Sequence, residues 1–276
     1  MPLPSWRKLW RRHSAHANTP SKKHYFRKCF LEILEDRTLL SNTYTVTLGG
    51  DAGNANPTDP TGLSGDIRYC INQADQKANA GSTIQFNTKD IGSNTITLSH
   101  GELEIAQDTT ITGPGASSLT ISGGNVSRVF NVTSQFAVVT IAGLTVSDGN
   151  ASPAVIGSPG NQGGDIFNSG KTLTLSNDVV ENGLALGNPV GPQGRGGGIF
   201  NALDATLVLN STIVASNTAQ GLANNPQGLG AGGGIYNDTN ATVTLNAGSQ
   251  VINNKALGGN GGGAGGGGTP GFAAER

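Results

Sequence analysis

Chemistry in this 276-residue chain would have to come from its carboxylates, histidines or cysteines, and their spacing limits what each can do. A site that cleaves a polysaccharide, or one that holds Ca²⁺, needs acids that converge, as a general acid/base pair or as an oxygen cage. Asp165, Asp178 and Glu181 lie in a repeated part of the chain. One repeat on, Asp165 aligns with Gly197 or Gly198 and then with Gly234, while Asp178 and Glu181 align with Ser- or Asn-type residues. No carboxylate stack is expected from that pattern. Glu102 and Glu104 share one strand face and could meet Asp108, with nothing basic or aromatic beside them, so they read as solvated surface acids. His13, His16 and His24 fall in a basic head, which leaves His100 alone and no His-based metal or nucleophile site. Cys29 is in the head and Cys70 in the body, where it reads as a buried packing residue. Gly196-Gly197-Gly198 and Gly261-Gly262-Gly263 lack the Lys-Ser/Thr and the following helix of a phosphate loop. The expectation is no catalytic residue, no cofactor and no metal ligand.

What recurs instead is structural. GGGIFNALDATLVLNSTIVASNTAQG, from Gly196 to Gly221, has an earlier copy starting at Gly163 and a later one starting at Gly232. Ile166, Ile199 and Ile235 are equivalent, so the period is 33 and then 36 residues, which is the signature of a stacked solenoid. Each copy begins with a Gly pair and a short segment ending in Asn: Asn168, Asn201 and Asn237. An alternating strand follows, as in Thr172-Leu173-Thr174-Leu175, with leucines on one face and threonines mostly on the other. A third segment reads Val-x-x-Asn and ends at Asn182, Asn217 and Asn254. A Gly-rich loop then leads to the next copy.

Three short strands per repeat predict one coil of a right-handed parallel β-helix, with coils stacked about 4.8 Å apart. Equivalent side chains then sit above one another, so Asn168, Asn201 and Asn237 are expected to form one ladder, and Asn182, Asn217 and Asn254 a second. Helix-turn-helix repeats are excluded, because the segments are short, β-branched and flanked by Gly and Asn.

Upstream of the repeats, short alternating strands run from Thr95 to Val146 at a spacing of about eight to ten residues. A β-sandwich would show the same spacing, but the repeated Asn positions favour the solenoid. Residues 44–49 form another strand. Ile67, Cys70, Ile71, Ala74 and Ala78 follow a helical pattern, which predicts a helix near 65–79 laid over the first coil as a cap. This segment resembles the S-L-R-x-A-I-x-x-A-N stretch that opens many bacterial β-helix surface proteins, with Ile67 for the usual Leu and Cys70 for a small residue.

Composition divides the chain. Residues 1–41 hold nine Lys/Arg against three Asp/Glu, and the remainder carries a net charge of −7, which offers no patch for nucleic acid. Nothing approaches 18 consecutive apolar residues, so no transmembrane helix is expected. The expected organisation is a disordered basic segment (1–41), a β-helix (42–257) and a disordered Gly-rich tail (258–276).

The head contains Leu31-Glu32-Ile33-Leu34-Glu35-Asp36-Arg37-Thr38-Leu39-Leu40-Ser41. It resembles the LE-x-LEDR-x-LLS motif of planctomycete extracellular and surface proteins, and the resemblance implies export. The Gly197-Gly198-Ile199 and Val214-to-Asn217 combination is similar to repeats of polymorphic outer-membrane proteins of the adhesin type, over roughly residues 163–257. Those repeats usually carry Phe in the second motif and are followed by a membrane barrel, whereas this chain has Val and no barrel. Right-handed β-helices also include pectate lyases and polygalacturonases. The expectation is thus an exported, non-catalytic surface protein with an adhesive, structural or matrix role. The alternative is a module that binds or degrades polysaccharide. Partners would be polysaccharide or cell-surface components. The last coil, 235–254, is expected to leave an open edge, with the chain either truncated there or paired with another chain.

Overall fold

A computed structural model describes residues 41–151 and 160–259. Residues 1–40 of the expected disordered head and 260–276 of the expected Gly-rich tail lie outside the described residues. Within them the fold is the parallel β-helix that the repeats predict. The long sheet holds eight strands in the order Ser64–Gly65, Thr43–Val46, Ser82–Phe86, Thr109–Thr112, Val138–Ala142, Thr172–Ser176, Thr206–Asn210 and Thr242–Leu245. A second sheet stacks Thr95–Thr97, Thr120–Ser122, Thr145–Ser147, Val179–Glu181, Ile213–Ala215 and Gln250–Ile252. A third stacks Leu103–Ile105, Phe130–Val132, Ile166–Asn168, Ile199–Asn201 and Ile235–Asn237. Neighbouring strands pair in parallel, for example Leu173 with Leu207 and Ile166 with Ile199. That eliminates the sandwich, whose two sheets are antiparallel. Each parallel crossover is supplied by the rest of the coil.

The alternation in each strand turns its apolar residues to one interior. Ile84, Ile111, Ile141, Leu175 and Leu209 are fully buried in the long sheet, and Ile96, Ile121, Val146, Val180 and Val214 in the second. They belong to one continuous core. The core is thin, and in the last coil Ile235, Val243, Leu245 and Val251 are only partly buried.

Helix α1 spans Ile67–Ala74. Asp66 starts it: Oδ1 accepts the Tyr69 N–H at 2.8 Å, and Oδ2 accepts the Asn54 N–H at 2.7 Å. Its buried face, Ile67, Cys70, Ile71 and Ala74, joins the core beside Thr43–Val46, Ser82–Phe86 and Leu103–Ile105. The helix is shorter than the predicted 65–79. The Asp75 carboxylate turns away to accept the Ala106 and Gln107 N–H groups, and Lys77–Asn79 is a 3₁₀ turn whose Asn79 amide donates to the Gln73 carbonyl. Cys70 is buried, and its thiol is pushed up to about 12 by burial and by the nearby Asp66 charge, so it is a packing residue.

The three-strand reading of each repeat was incomplete. The loops after the third segment begin with a fourth parallel sheet, Leu184–Leu186, Thr218–Gln220 and Lys255–Leu257, followed by a two-stranded fifth, Gly194–Arg195 with Gly230–Ala231. Only one residue per fourth-sheet strand points inward, Ala185 or Ala219 in the buried cases. One alanine gives no hydropathy alternation to read.

Candidate functional site

The Asn168 column is built by the third sheet. Registers of Asn168 with Asn201 and of Asn201 with Asn237 place the three amides one above the next. Asn168 Nδ2 donates to Asn201 Oδ1 at 2.7 Å, and Asn201 Nδ2 donates to Asn237 Oδ1 at 2.8 Å. Asn168 Nδ2 also reaches the Thr206 carbonyl, Asn201 Nδ2 the Ala205 and Thr242 carbonyls, and Asn237 Nδ2 the Ala241 carbonyl. Asn168 and Asn201 are fully buried, and Asn237 is exposed at the last coil. Below Asn168 the same column continues as Val132 and Ile105. The ladder thus starts where the long repeats start.

The second column differs from its expected membership. Asn217 Nδ2 donates to Asn254 Oδ1 at 3.0 Å and to the Val180 carbonyl at 3.1 Å, and Asn217 Oδ1 accepts the Gly183 N–H at 2.8 Å. Asn182 is not in it. It is exposed, has φ +61°, and stands level with Ser216 and Asn253, which share that left-handed turn conformation. The Val-x-x-Asn alignment slipped by one because Val179 and Val180 are adjacent and only Val180 is buried. The residue level with Asn217 is Gly183.

What fills the space beside Gly183 is Asp165. Asp165 is level with Gly198 and Gly234, and added side chains at those two glycines would run into the Asn217 and Asn254 amides. A side chain added at Gly183 would run into the Asp165 carboxylate. One interior slot is therefore filled from opposite sides: by Asp165 over Gly183 in one coil, and by Asn217 or Asn254 facing a glycine in the next two. Asp165 Oδ1 accepts the Gly149 N–H at 2.8 Å, while Oδ2 is buried with no hydrogen-bond partner. Burial, opposed by the Gly149 bond and helped by the negative charges of Asp148 and Glu181, pushes its carboxyl well above the usual range. Gly183→Asn alone is expected to lower the thermal midpoint strongly. Combined with Asp165→Gly, which empties the slot, part of that loss should return in the same melting experiment.

Asp51 and Arg68 are likewise turned to structure. Asp51, 2% exposed, accepts from Arg68 Nη2 at 3.1 Å, from Ser99 N and His100 N at 3.0 Å each, and from Ser99 Oγ at 2.7 Å. His100 Nδ1 lies 3.2 Å from the same carboxylate. Burial pushes the Asp51 carboxyl up, but these bonds outweigh it and hold it well below the usual range. Ser, His and Asp meet here, yet not as a nucleophilic triad. The serine gives its proton directly to the carboxylate, and the imidazole nitrogen nearest the serine is the one facing Asp51. Arg68 also donates to the Asp51, Gly101 and Glu102 carbonyls, tying α1 to the first coils.

The reading of Glu102 as a solvated acid needs correction. Arg128, 2% exposed, forms an ion pair with Glu102 and donates to the Gly163 and Gln162 carbonyls. Glu102 Oε1 accepts from Asn131 Nδ2 at 2.7 Å, and the guanidinium lies 5.4 Å from the Phe167 ring centroid. Asp108 is turned elsewhere and accepts the Val138 N–H. The missed signal was register: Leu103 pairs with Phe130, which brings the residues just before each strand together. From Phe167 an outward column of rings runs through Phe200 to Tyr236, with centroids 5.3 and 5.2 Å apart. Phe200 is only 1% exposed, so this stack is not an open platform for a sugar. A cavity of about 290 Å³ is lined by Asn161, Gln162, Gln193 and Arg195 among others, and the Arg195 guanidinium lies 5.4 Å from the Tyr236 ring centroid.

Of the export-motif residues, Leu31, Glu32, Leu34, Glu35, Asp36, Arg37, Leu39 and Leu40 lie outside the described residues, and Ser41 is exposed. Among the described residues no helix is long and apolar enough to cross a membrane, and no His, Cys, Asp and Glu side chains group as a metal site. Comparison with protein-family models, curated proteins and solved structures returned no match to this chain.

Proposed function

We propose that the chain is an exported β-helix of the cell surface or matrix, whose role is adhesive or structural rather than catalytic. The observation that carries this reading is the direction of the polar chemistry. Asp51, Glu102, Asp165 and Asp178 each bond backbone or neighbouring side chains inside the solenoid, as do Asn168, Asn201 and Asn217. Groups tied into the coils in this way, or fully buried like the unpartnered Asp165 Oδ2, do not reach a substrate without breaking the coil contacts. The resemblance of Leu31 to Ser41 to a planctomycete export motif supplies the destination, and the similarity to adhesin-type repeats supplies the surface role. The test has two arms. Residues 1–42 fused to a reporter should carry it out of the cytoplasm of a planctomycete host, and a reporter retained inside with the motif intact would count against export. The purified chain should be retained on cell-wall material without changing it.

The alternative, a module for polysaccharide, draws on the cavity at Asn161, Gln162, Gln193 and Arg195, whose amides and guanidinium suit the hydroxyls and carboxylates of an acidic sugar. Saturable binding of a uronate oligosaccharide that is lost in Arg195→Ala would favour it over a purely structural role.

A further inference from the structure

Six asparagines stand in Asn-x-Ser/Thr with x other than proline: Asn125, Asn131, Asn150, Asn210, Asn237 and Asn240. This triplet is the acceptor pattern for N-linked sugar, and it serves as one only on an accessible surface. Transfer needs a side-chain amide that is not already spent on the fold and an open hydroxyl two residues on. Five of the six fail one of these conditions. Asn131 is 5% exposed, and its Nδ2 donates to Glu102 Oε1 at 2.7 Å. Asn150 Nδ2 donates to the Asn125 carbonyl at 3.0 Å. Asn210 Nδ2 donates to Ser176 Oγ, its Oδ1 accepts from Asn246 Nδ2, and Thr212 is fully buried. Asn237 closes the ladder, with Oδ1 accepting from Asn201 and Nδ2 donating to the Ala241 carbonyl. Asn125 is exposed, but the Ser127 hydroxyl is buried.

Asn240 meets both conditions. It is exposed, and its amide has no hydrogen-bond partner among the described residues. Thr242 is exposed as well, and its hydroxyl touches only Thr206 Oγ1, at 3.1 Å. Asn240 sits in the turn Asp238–Ala241, which joins the third sheet to the long sheet and is closed by the Ala241 N–H bonding the Asp238 carbonyl at 3.1 Å. Its φ of +56° calls for a short polar residue able to adopt the left-handed conformation. That conformation does not require an amide. Level with it in the preceding coil stands Asp204, at φ +60°. The carboxamide of Asn240 is thus surplus to the turn, whereas those of Asn131, Asn210 and Asn237 are consumed by the coils.

We propose that Asn240 is an acceptor site for an N-linked oligosaccharide. The donor is an oligosaccharide carried on a polyprenyl diphosphate, used by a membrane transferase. Asn240 Nδ2 attacks the anomeric carbon and the N–C bond forms. The C–O bond to the diphosphate breaks, the diphosphate leaves on its lipid, and one amide proton passes to a base of the transferase. A sugar on this turn breaks no side-chain contact of the coil. The inference rests on the export reading above, because such transfer takes place outside the cytoplasm.

The test uses the full-length chain carried out of the cytoplasm of a planctomycete host by a conventional cleavable signal, so that failure of its own head to export does not enter. Mass spectrometry of the recovered chain should show the added mass of an oligosaccharide, and electron-transfer fragmentation should place it on Asn240. Asn240→Asp, the residue type that the preceding coil carries at this position, should abolish the addition completely. Thr242→Val, which keeps the branched shape and removes the hydroxyl, should do the same. Asn125→Asp should leave it unchanged. Circular dichroism of all three variants should match the unaltered chain, which separates loss of the acceptor from loss of the fold. A recovered chain whose Asn240 is bare would overturn the proposal. So would an addition that persists in Asn240→Asp because it sits on Asn150 or on a threonine. Export by the chain's own head is read separately, by the reporter fusion described above.

Discussion

Raising the pH from 4 to 8 is expected to destabilise the solenoid by several kcal/mol, with Asp178 as the main measurable source. Asp178 is 1% exposed and sits in the turn before Val179–Glu181, where it accepts the Leu144 and Ser176 N–H groups. Burial, only partly offset by those two bonds, pushes its carboxyl up from 3.8 to about 7. A raised carboxyl binds its proton more tightly in the native state. Stability from this group is therefore complete below about pH 4 and is lost as pH rises to 7, by about 4 kcal/mol. Asp165 and Asp75 act in the same direction, both raised chiefly by burial. Asp51 acts in the opposite direction: its lowered carboxyl contributes above about pH 4, and that contribution disappears on acidification. The optimum should fall near pH 4–5. Urea unfolding at pH 5 and at pH 8 measures the difference. Asp178→Asn should flatten the alkaline limb, at the cost of one of the two backbone bonds. A stability that climbs between pH 5 and 8 would show that these buried acids are ionised at little cost.

Asn201→Ala is expected to cost about 3 kcal/mol, more than any other single ladder change. Removing that amide strands the Asn168 donor from above and takes the donor from Asn237, while the Thr242 carbonyl loses its side-chain bond and the Ala205 carbonyl keeps only the Thr242 N–H. Asn168 is fully buried, and its Nδ2 keeps only a long 3.3 Å bond to the Thr206 carbonyl. Asn182→Gly is the contrasting change: an exposed residue at φ +61° is replaced by one that adopts that conformation freely, so stability should hardly move. Chemical denaturation of both variants measures the contrast. Equal effects would mean that the buried column does no more than a surface turn.

These two columns also show what the sequence makes legible. Ile166, Ile199 and Ile235 fix the period unambiguously, because each stands two or three residues after a Gly pair and directly before an aromatic and an Asn. The Asn168 register follows directly from them. In the next segment Val179-Val180 offers two apolar residues, and a one-residue slip in a strand exchanges its buried and exposed sets, so Asn182 was misplaced. The long sheet was legible because its strands alternate over four or five residues, whereas the fourth sheet signals its interior with one alanine per strand. The ion pair of Glu102 with Arg128 was invisible for another reason. It spans 26 residues and depends on the coil register between Leu103 and Phe130, which no local pattern encodes. The exchange of Asp165 for Asn217 and Asn254 across the same slot depends likewise on side chains that meet from different sheets.

We propose that the polar residues of this solenoid hold coils together and perform no turnover. The most direct test is release of new reducing ends, and of unsaturated uronates, when the full-length chain is incubated with a panel of neutral and acidic polysaccharides between pH 4 and 9, with and without Ca²⁺. The expected result is no release above the blank, even where the chain is retained on the polymer. Release that disappears in a Glu102→Gln or Asp51→Asn variant that still folds would contradict it.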